Sequence, residues 1–278
     1  MTTPGVASSS SAGASSPGGV ARPAPPARRA LPARTWIAMY VRLLAIQGSW
    51  NYETLMGNGV GFCTEPALRL LPGGRGGDAY RAALARQSKY FNAHPYLAAV
   101  AVGALARVEI DGEPPARIER FRTALCGPLG SVGDRLVWAG WLPFCSVVAL
   151  AVFGLDAGPA AVVLTFLVLY NAGHLALRAW GLTVGWRRGM SVAPALANPV
   201  LRRGPEHIAR VAALAAGAAL PLALSRAIGI GRALTGGVAV AVVLGAVVVA
   251  RLHGRAEGWR LALVALALFV LYSVVRHG

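Results

Sequence analysis

From residue 136 onward the chain is written in runs of residues that water rejects, and nothing else in it limits the possible folds so strongly. Residues 136–155 and 158–182 are each long enough, at about 1.5 Å per helical residue, to cross roughly 30 Å of hydrocarbon. Residues 207–225, 233–250 and 259–275 complete the series. A bilayer offers no water to backbone amides and carbonyls, so such runs must satisfy themselves as helices. The expectation is an all-α membrane protein with about five transmembrane helices in its second half. Composition agrees: of 278 residues, 55% are hydrophobic and only 14% charged, which excludes an ordinary soluble domain. The net charge of +16 comes from arginines placed at the ends of apolar runs, the pattern of membrane flanks, so no nucleic-acid partner is expected.

The first half has a different character. Residues 1–33 are Ser, Ala, Gly and Pro with a few arginines, a composition that cannot offset its ordering entropy, and they read as a disordered tail. The membrane domain then occupies residues 34–278, with an interfacial and re-entrant region at 34–135 and a transmembrane bundle at 136–278. In residues 35–49, Trp36, Ile37, Met39, Tyr40, Leu43, Leu44 and Ile46 fall on helical spacing, predicting an amphipathic helix lying in the interface. Residues 47–62 are polar and glycine-rich, with Asn51, Glu53 and Asn58 as candidates for polar contacts. Residues 65–71 form a short apolar patch ended by a PGGRGG turn.

Residues 78–106 begin as a helix, pass through the polar YFNAHP and continue as YLAAVAVGALA, 11 residues that suit a re-entrant arm better than a span. Asn92 and His94 stand where the helix should break before Pro95, Asn92 serving as a helix-end cap or a polar contact. Glu109 closes the arm, either wet or facing a cavity. Arginines 22, 28, 29, 34 and 42 favour a cytoplasmic amino terminus.

The two regimes meet at residues 124–144, ALCGPLGSVGDRLVWAGWLPF. Gly127, Gly130 and Gly133 recur every third residue, Pro128 interrupts them, and Asp134 precedes the first long apolar run. Glycine and proline cost about 1 and 3 kcal/mol relative to alanine inside a helix, so the stretch reads as a hinge: a broken segment exposing backbone and one acid to a polar cavity, or a loop whose Asp134 caps the next helix. Further along, Asn171, His174 and Arg178 share one helical face, lining a pathway or bonding between helices, with Arg178 expected to snorkel.

The three cysteines, Cys63, Cys126 and Cys145, have no CxxC spacing and behave as small apolar residues. The five histidines lack HxxxH or HExxH partners, so no metal site is expected; no cofactor and no catalytic residue are expected either.

Three ordered blocks carry a resemblance: WNYETLMGNGVGF at 50–62, ARQSKYFNAHPYLAAVAVGALARVE at 85–109 and ALCGPLGSVGDRLVWAGWLP at 124–143. WGLTVGWRRG at 180–189 adds a glycine-aromatic-glycine element. Over residues 35–189 the chain resembles the IID component of the mannose/fructose/sorbose-type sugar phosphotransferase system. The resemblance implies a multi-pass subunit of the bacterial inner membrane that joins a IIC partner to form the sugar-translocating unit, in a higher oligomer of IIC/IID pairs. It further implies cytoplasmic IIA and IIB proteins that carry the phosphoryl group on histidine, a hexose-type sugar, and no phosphorylated residue in this non-catalytic chain.

Sugars are neutral and rich in hydroxyls, so amides and carboxylates are the groups to recognise them. Asn51, Glu53, Asn92, His94, Glu109 and Asp134 are the candidate channel-lining set. The chain departs from the family pattern at Val108-Glu109-Ile110, at Cys126 and at Arg135. Arg135 beside Asp134 motivates a rival function, a non-transporting scaffold or sensor derived from the family.

Overall fold

The computed structural model describes residues 30–228 together with Val247. The tail up to residue 29 lies outside the described residues, as do the runs at 233–250 and 259–275 apart from Val247. Nine α-helices are found among the described residues: α1 Ala33–Leu43, α2 Gly57–Leu68, α3 Asp78–Gln87, α4 Ala98–Ile110, α5 Pro115–Gly133, α6 Leu142–Gly154, α7 Pro159–Arg188, α8 Ala193–Leu196 and α9 Pro199–Ile228. No strand is found there beyond the isolated bridges Asn51 to Leu55 and Leu55 to Phe91.

Three helical stretches are long and apolar enough to cross a membrane: Pro115–Gly154, Pro159–Ser191 and Ala193–Ala227. They cover all but one end residue of each of the first two runs expected from the sequence, and the whole of the third. Most of each apolar window is not buried inside the protein, and Val163, Leu164, Leu167, Val168, Val211 and Leu214 are exposed on α7 and α9. Bare apolar surface of that extent is what a lipid-facing or subunit-facing wall requires.

The helix α4 is the centre of the packing. Every residue from Ala98 to Glu109 is buried, consistent with an arm too short to span and satisfied only inside protein. It runs alongside α7 in the same direction, Val100 meeting Gly181 and Gly185 while Arg107 meets Gly189. The approach is close enough that a Cβ at Gly103 would stand 2.7 Å from the Trp186 amide nitrogen, and one at Gly185 2.8 Å from that of Ala104. Gly181 and Gly185 are thus a small-xxx-small ridge that lets two backbones touch.

The glycines near residue 58 have a packing role. Residues 57–62, the glycine-rich end of the 47–62 stretch, form the first half of α2. A Cβ at Gly57 would lie 2.7 Å from the Ser88 carbonyl oxygen, and one at Gly59 2.8 Å from the Ile46 carbonyl carbon. Alternating glycines thin the helix on two sides, so that α2 wedges between the α1 exit and the end of α3. Helix α1 lies against α7 through its aromatic residues: Trp36 Nε1 donates to Thr183 Oγ1 at 3.3 Å and the Tyr40 hydroxyl to the Leu175 carbonyl at 3.1 Å. Ile37 and Val41, with Leu44 just past its end, stay exposed.

Glu65, placed by sequence in a short apolar patch, is instead a buried hub. Its carboxylate accepts from Arg42 at 2.8 Å, from both Arg69 nitrogens at 2.7 Å, from Arg75 at 3.3 Å and from the Tyr80 hydroxyl at 2.9 Å. Burial works to raise its pKa, but the hydrogen bonds from Arg69, Tyr80 and Arg42 outweigh it and bring the value down to about 2. The hub ties α1, α2 and α3 together at one point.

Candidate functional site

The stretch at residues 124–144 does not break. Helix α5 passes through Gly127, Pro128, Gly130 and Gly133 and continues as a π-helix over Asp134–Trp141 before α6 begins. The Leu142 N–H donates to the Val137 carbonyl, five residues back. Pro143 explains the widening: it has no N–H for the Ala139 carbonyl and its ring crowds that oxygen, so the preceding turns open. The expected hinge is therefore a local change of helical pitch. Gly127 and Pro128 face outward, with nothing within 4 Å of a Cβ at Gly127, and a Cβ at Gly130 would only touch Ala93 at 4.0 Å. Gly133 is different, because it lies on the ring of His94.

Asn51 organises its own turn. Its Oδ1 accepts from the amides of Glu53 at 3.0 Å and Thr54 at 2.8 Å, and its Nδ2 donates to Thr54 Oγ1 at 2.9 Å, an Asx turn that holds Leu55 at φ 50°. Backbone bonds then join this turn to the next block: Phe91 N–H to the Thr54 carbonyl at 3.1 Å, and Met56 N–H to the Phe91 carbonyl at 3.0 Å. Asn92 follows directly and is exposed, as is Glu53. Asn92 caps no helix, since α3 ends at Gln87 and the residue preceding α4 is Leu97.

His94 is buried, and its Nδ1 accepts from the Tyr96 amide at 3.2 Å. Burial, with the Arg178 charge adding to it, pulls the imidazole pKa down to about 4, so the ring is neutral. Its Nε2 has no hydrogen-bond partner among the described residues. Asp134 opens the π-helix and is exposed, and Arg135 bonds the Ser131 carbonyl at 3.2 Å rather than Asp134.

Glu109 stands apart from the other five, at the opposite end of α4 from His94. Its carboxylate holds Arg86 by two bonds of 2.9 and 2.7 Å and accepts from Gln87 Nε2 at 2.7 Å. It is buried rather than wet. A second buried cation, Arg122, pins the end of α3 by donating to the carbonyls of Gln87, Lys89 and Tyr90 at 2.8, 2.6 and 2.6 Å.

Sequence reasoning missed an aromatic cluster at the junction between the arm and the long helices. The Tyr96 and Tyr170 hydroxyls are 2.7 Å apart, the Tyr96 ring stacks on His174 at 4.9 Å, and Trp138 of the π-helix lies 5.1 Å from His94. Asn171 Oδ1 and His174 Nε2 are 2.8 Å apart, as their shared face predicted. Arg178 does not snorkel: it is buried 4.6 Å over the Tyr96 ring and donates to the Leu43 carbonyl, bracing α1 against α7. The one sequence signal was the polar trio itself, whose partner Tyr96 sits just after Pro95 and carries no periodic pattern.

Backbone bonds link the turn at 51–55 to Phe91, and His94 meets Gly133 and Trp138 at the π-helix; Glu53, Asn92 and Asp134 are each exposed on these segments. No cluster of three or more metal-binding side chains occurs among the described residues.

Comparison with known proteins places the chain. The PTS mannose/fructose/sorbose family IID component model matches residues 30–220. The chain is 29% identical over 173 residues to the PTS system mannose-specific EIID component of Escherichia coli (strain K12), an alignment covering 59% of each chain. It is 32% identical over 173 residues to the fructose permease IID component of Bacillus subtilis (strain 168), covering 58% of this chain and 59% of that one. These alignments span about three-fifths of the relatives' length. Among solved structures, a complex of the mannose transporter ManYZ with a microcin contains a chain similar at TM-score 0.53 and 26% identity, over 68% of this chain and 70% of that one. With the polar region from residue 30, two long apolar helices and most of a third inside the matched residues 30–220, this chain belongs to the IID component family of the mannose/fructose/sorbose phosphotransferase system.

Proposed function

We propose that this protein is the IID membrane subunit which, with a IIC partner, forms the sugar-translocating unit of a phosphoenolpyruvate-dependent phosphotransferase system. Cytoplasmic IIA and IIB proteins would deliver the phosphoryl group to a hexose-type sugar, and the amino terminus would face the cytoplasm. The observation that carries this is the family match across residues 30–220; the likeness to a chain of the ManYZ complex supports it.

Within that function, the exposed residues Glu53, Asn92 and Asp134 are the wall offered to the passage, with Asn51 shaping it. Hydroxyls are recognised by carboxylates and amides that are not already committed within the protein. Glu109 is committed to Arg86 and Gln87 and acts as a brace. His94 is a spacer between the arm and the π-helix.

Two measurements test this. Purification of the tagged chain from its native membrane should recover a IIC-type subunit, and a chain that comes away alone would count against the assembly. Asp134→Asn in the reconstituted pair should lower sugar uptake several-fold while leaving the complex intact; unchanged uptake would strike Asp134 from the wall.

A further inference from the structure

A small polar cavity of about 160 Å³ lies where the carboxyl ends of α4 and α7 meet. Its walls bring together two acids and three arginines. Arg107, buried and lying over the Trp186 ring, donates from Nε to Asp111 at 2.6 Å, and Arg117 donates to Glu113 at 2.7 Å. Each acid on the lining is therefore neutralised by a cation. Arg187 and Arg188 line the same cavity, are exposed, and take part in no ion pair or side-chain hydrogen bond among the described residues. The carbonyl ends of α4 and α7 contribute about half a negative charge each, which reduces the surplus of these two cations without cancelling it.

The depth of the cavity along α7 narrows what can fill it. The helix has 30 residues, about 45 Å at 1.5 Å each, which matches a bilayer with its headgroup layers included. Val163, Leu164, Leu167 and Val168 are exposed along it, so Arg187 and Arg188 at its end emerge at headgroup depth. Gly189, at φ 49°, then ends the helix against Arg107, where a Cβ would stand 3.2 Å from the arginine Cγ. The space is smaller than the roughly 300 Å³ at which sites for enclosed small molecules begin. It suits one phosphate group whose remainder stays outside, with Val108 and Met190 as the apolar part of the lining.

We propose that this cavity holds the headgroup phosphate of an anionic phospholipid, gripped by Arg187 and Arg188 while Arg107 and Arg117 keep the neighbouring acids from repelling it. None of Glu53, Asn92 and Asp134 lines the cavity, and the proposal does not rest on sugar transport.

The test uses the purified full chain and native mass spectrometry, with dioleoyl phosphatidylglycerol and dioleoyl phosphatidylcholine as matched competitors. Both have the same chains and a phosphodiester, but the second also carries a tethered cation. The parent chain should retain one phosphatidylglycerol about tenfold more tightly than phosphatidylcholine. Arg187→Gln combined with Arg188→Gln should remove that preference, each arginine beside an anionic headgroup being worth about a factor of five. Arg202→Gln with Arg203→Gln takes the same charge from exposed residues that do not line the cavity, and should leave the preference intact. Millimolar inorganic phosphate should not displace the lipid. Equal retention of the two lipids by the parent would overturn the proposal. So would a preference that survives loss of Arg187 and Arg188, one that falls equally with Arg202 and Arg203, or displacement by inorganic phosphate. The comparison of lipids on the parent needs no variant, so a folding defect cannot mask it.

Discussion

Gly133 lies flat on the imidazole of His94: a Cβ at position 133 would overlap the Cβ and Cγ of the ring residue and stand 3.0 Å from its Nδ1. The contact fixes the segment before α4 against the helix that becomes the π-helix. Gly133→Ala should therefore destabilise the purified chain by about 1–3 kcal/mol, the usual cost of overpacking. Adding His94→Ala to that variant should return most of the loss. Thermal unfolding of the four proteins in one detergent checks both statements, and strictly additive losses would contradict the contact.

Glu109 and Arg86 are both largely buried, with side-chain exposures of 3% and 13%. Removing one partner strands the other charge, so Glu109→Gln should cost on the order of 3–5 kcal/mol. The double variant Glu109→Leu with Arg86→Leu should be much closer to the parent. A double-mutant cycle on unfolding midpoints measures the coupling.

The Glu65 hub makes stability depend on acid. Its pKa is lowered from 4.5 to about 2, so the folded state binds fewer protons than the unfolded one between these values. The contribution is present above pH 4.5 and is lost as pH falls toward 2. Unfolding midpoints measured from pH 6 down to about pH 3 should fall more steeply for the parent than for Glu65→Gln, which begins lower and stays flatter.

Two glycines on long helices should answer oppositely to the same change. Gly185→Ala pushes a methyl into the α4 backbone and should reduce accumulation of folded protein. Gly127→Ala meets nothing within 4 Å and should raise stability by about 1 kcal/mol, the helix-propensity difference. Detergent-solubilised yield and melting of the pair decide the matter.

The sequence disclosed what depends on length and period. Apolar runs of span length announced the long helices, because that length follows from the thickness of hydrocarbon, and most of the 11 apolar residues before Glu109 lie in a buried helix of 13 residues. Local pattern was a poor guide where neighbours decide. Gly57, Gly59 and Gly61 marked their stretch only as glycine-rich, since a spacing of two matches no helical face; their purpose appears only when Ile46 and Ser88 are seen behind them. Gly127 to Gly133 looked like a break because propensity counts glycines without asking what they touch. Arg178 looked like a surface anchor, since the carbonyl and ring that receive it lie on segments remote in sequence. In the candidate site, Asn51, Asn92 and Asp134 were visible as polar residues in apolar company, whereas Tyr96 and Trp138 were not, because aromatic side chains in such a chain carry no mark of a polar role.

The burial of α4 from Ala98 to Glu109 bears on how the protein feels its surroundings. A helix sheathed by its own chain does not register bilayer thickness, whereas α7 and α9, with apolar sides left bare, must tilt or slide to match it. A thinner or thicker membrane would then shift the long helices past an arm that stays put, and the strain would gather where the two meet, at His94, Tyr96 and the widened turns beginning at Asp134.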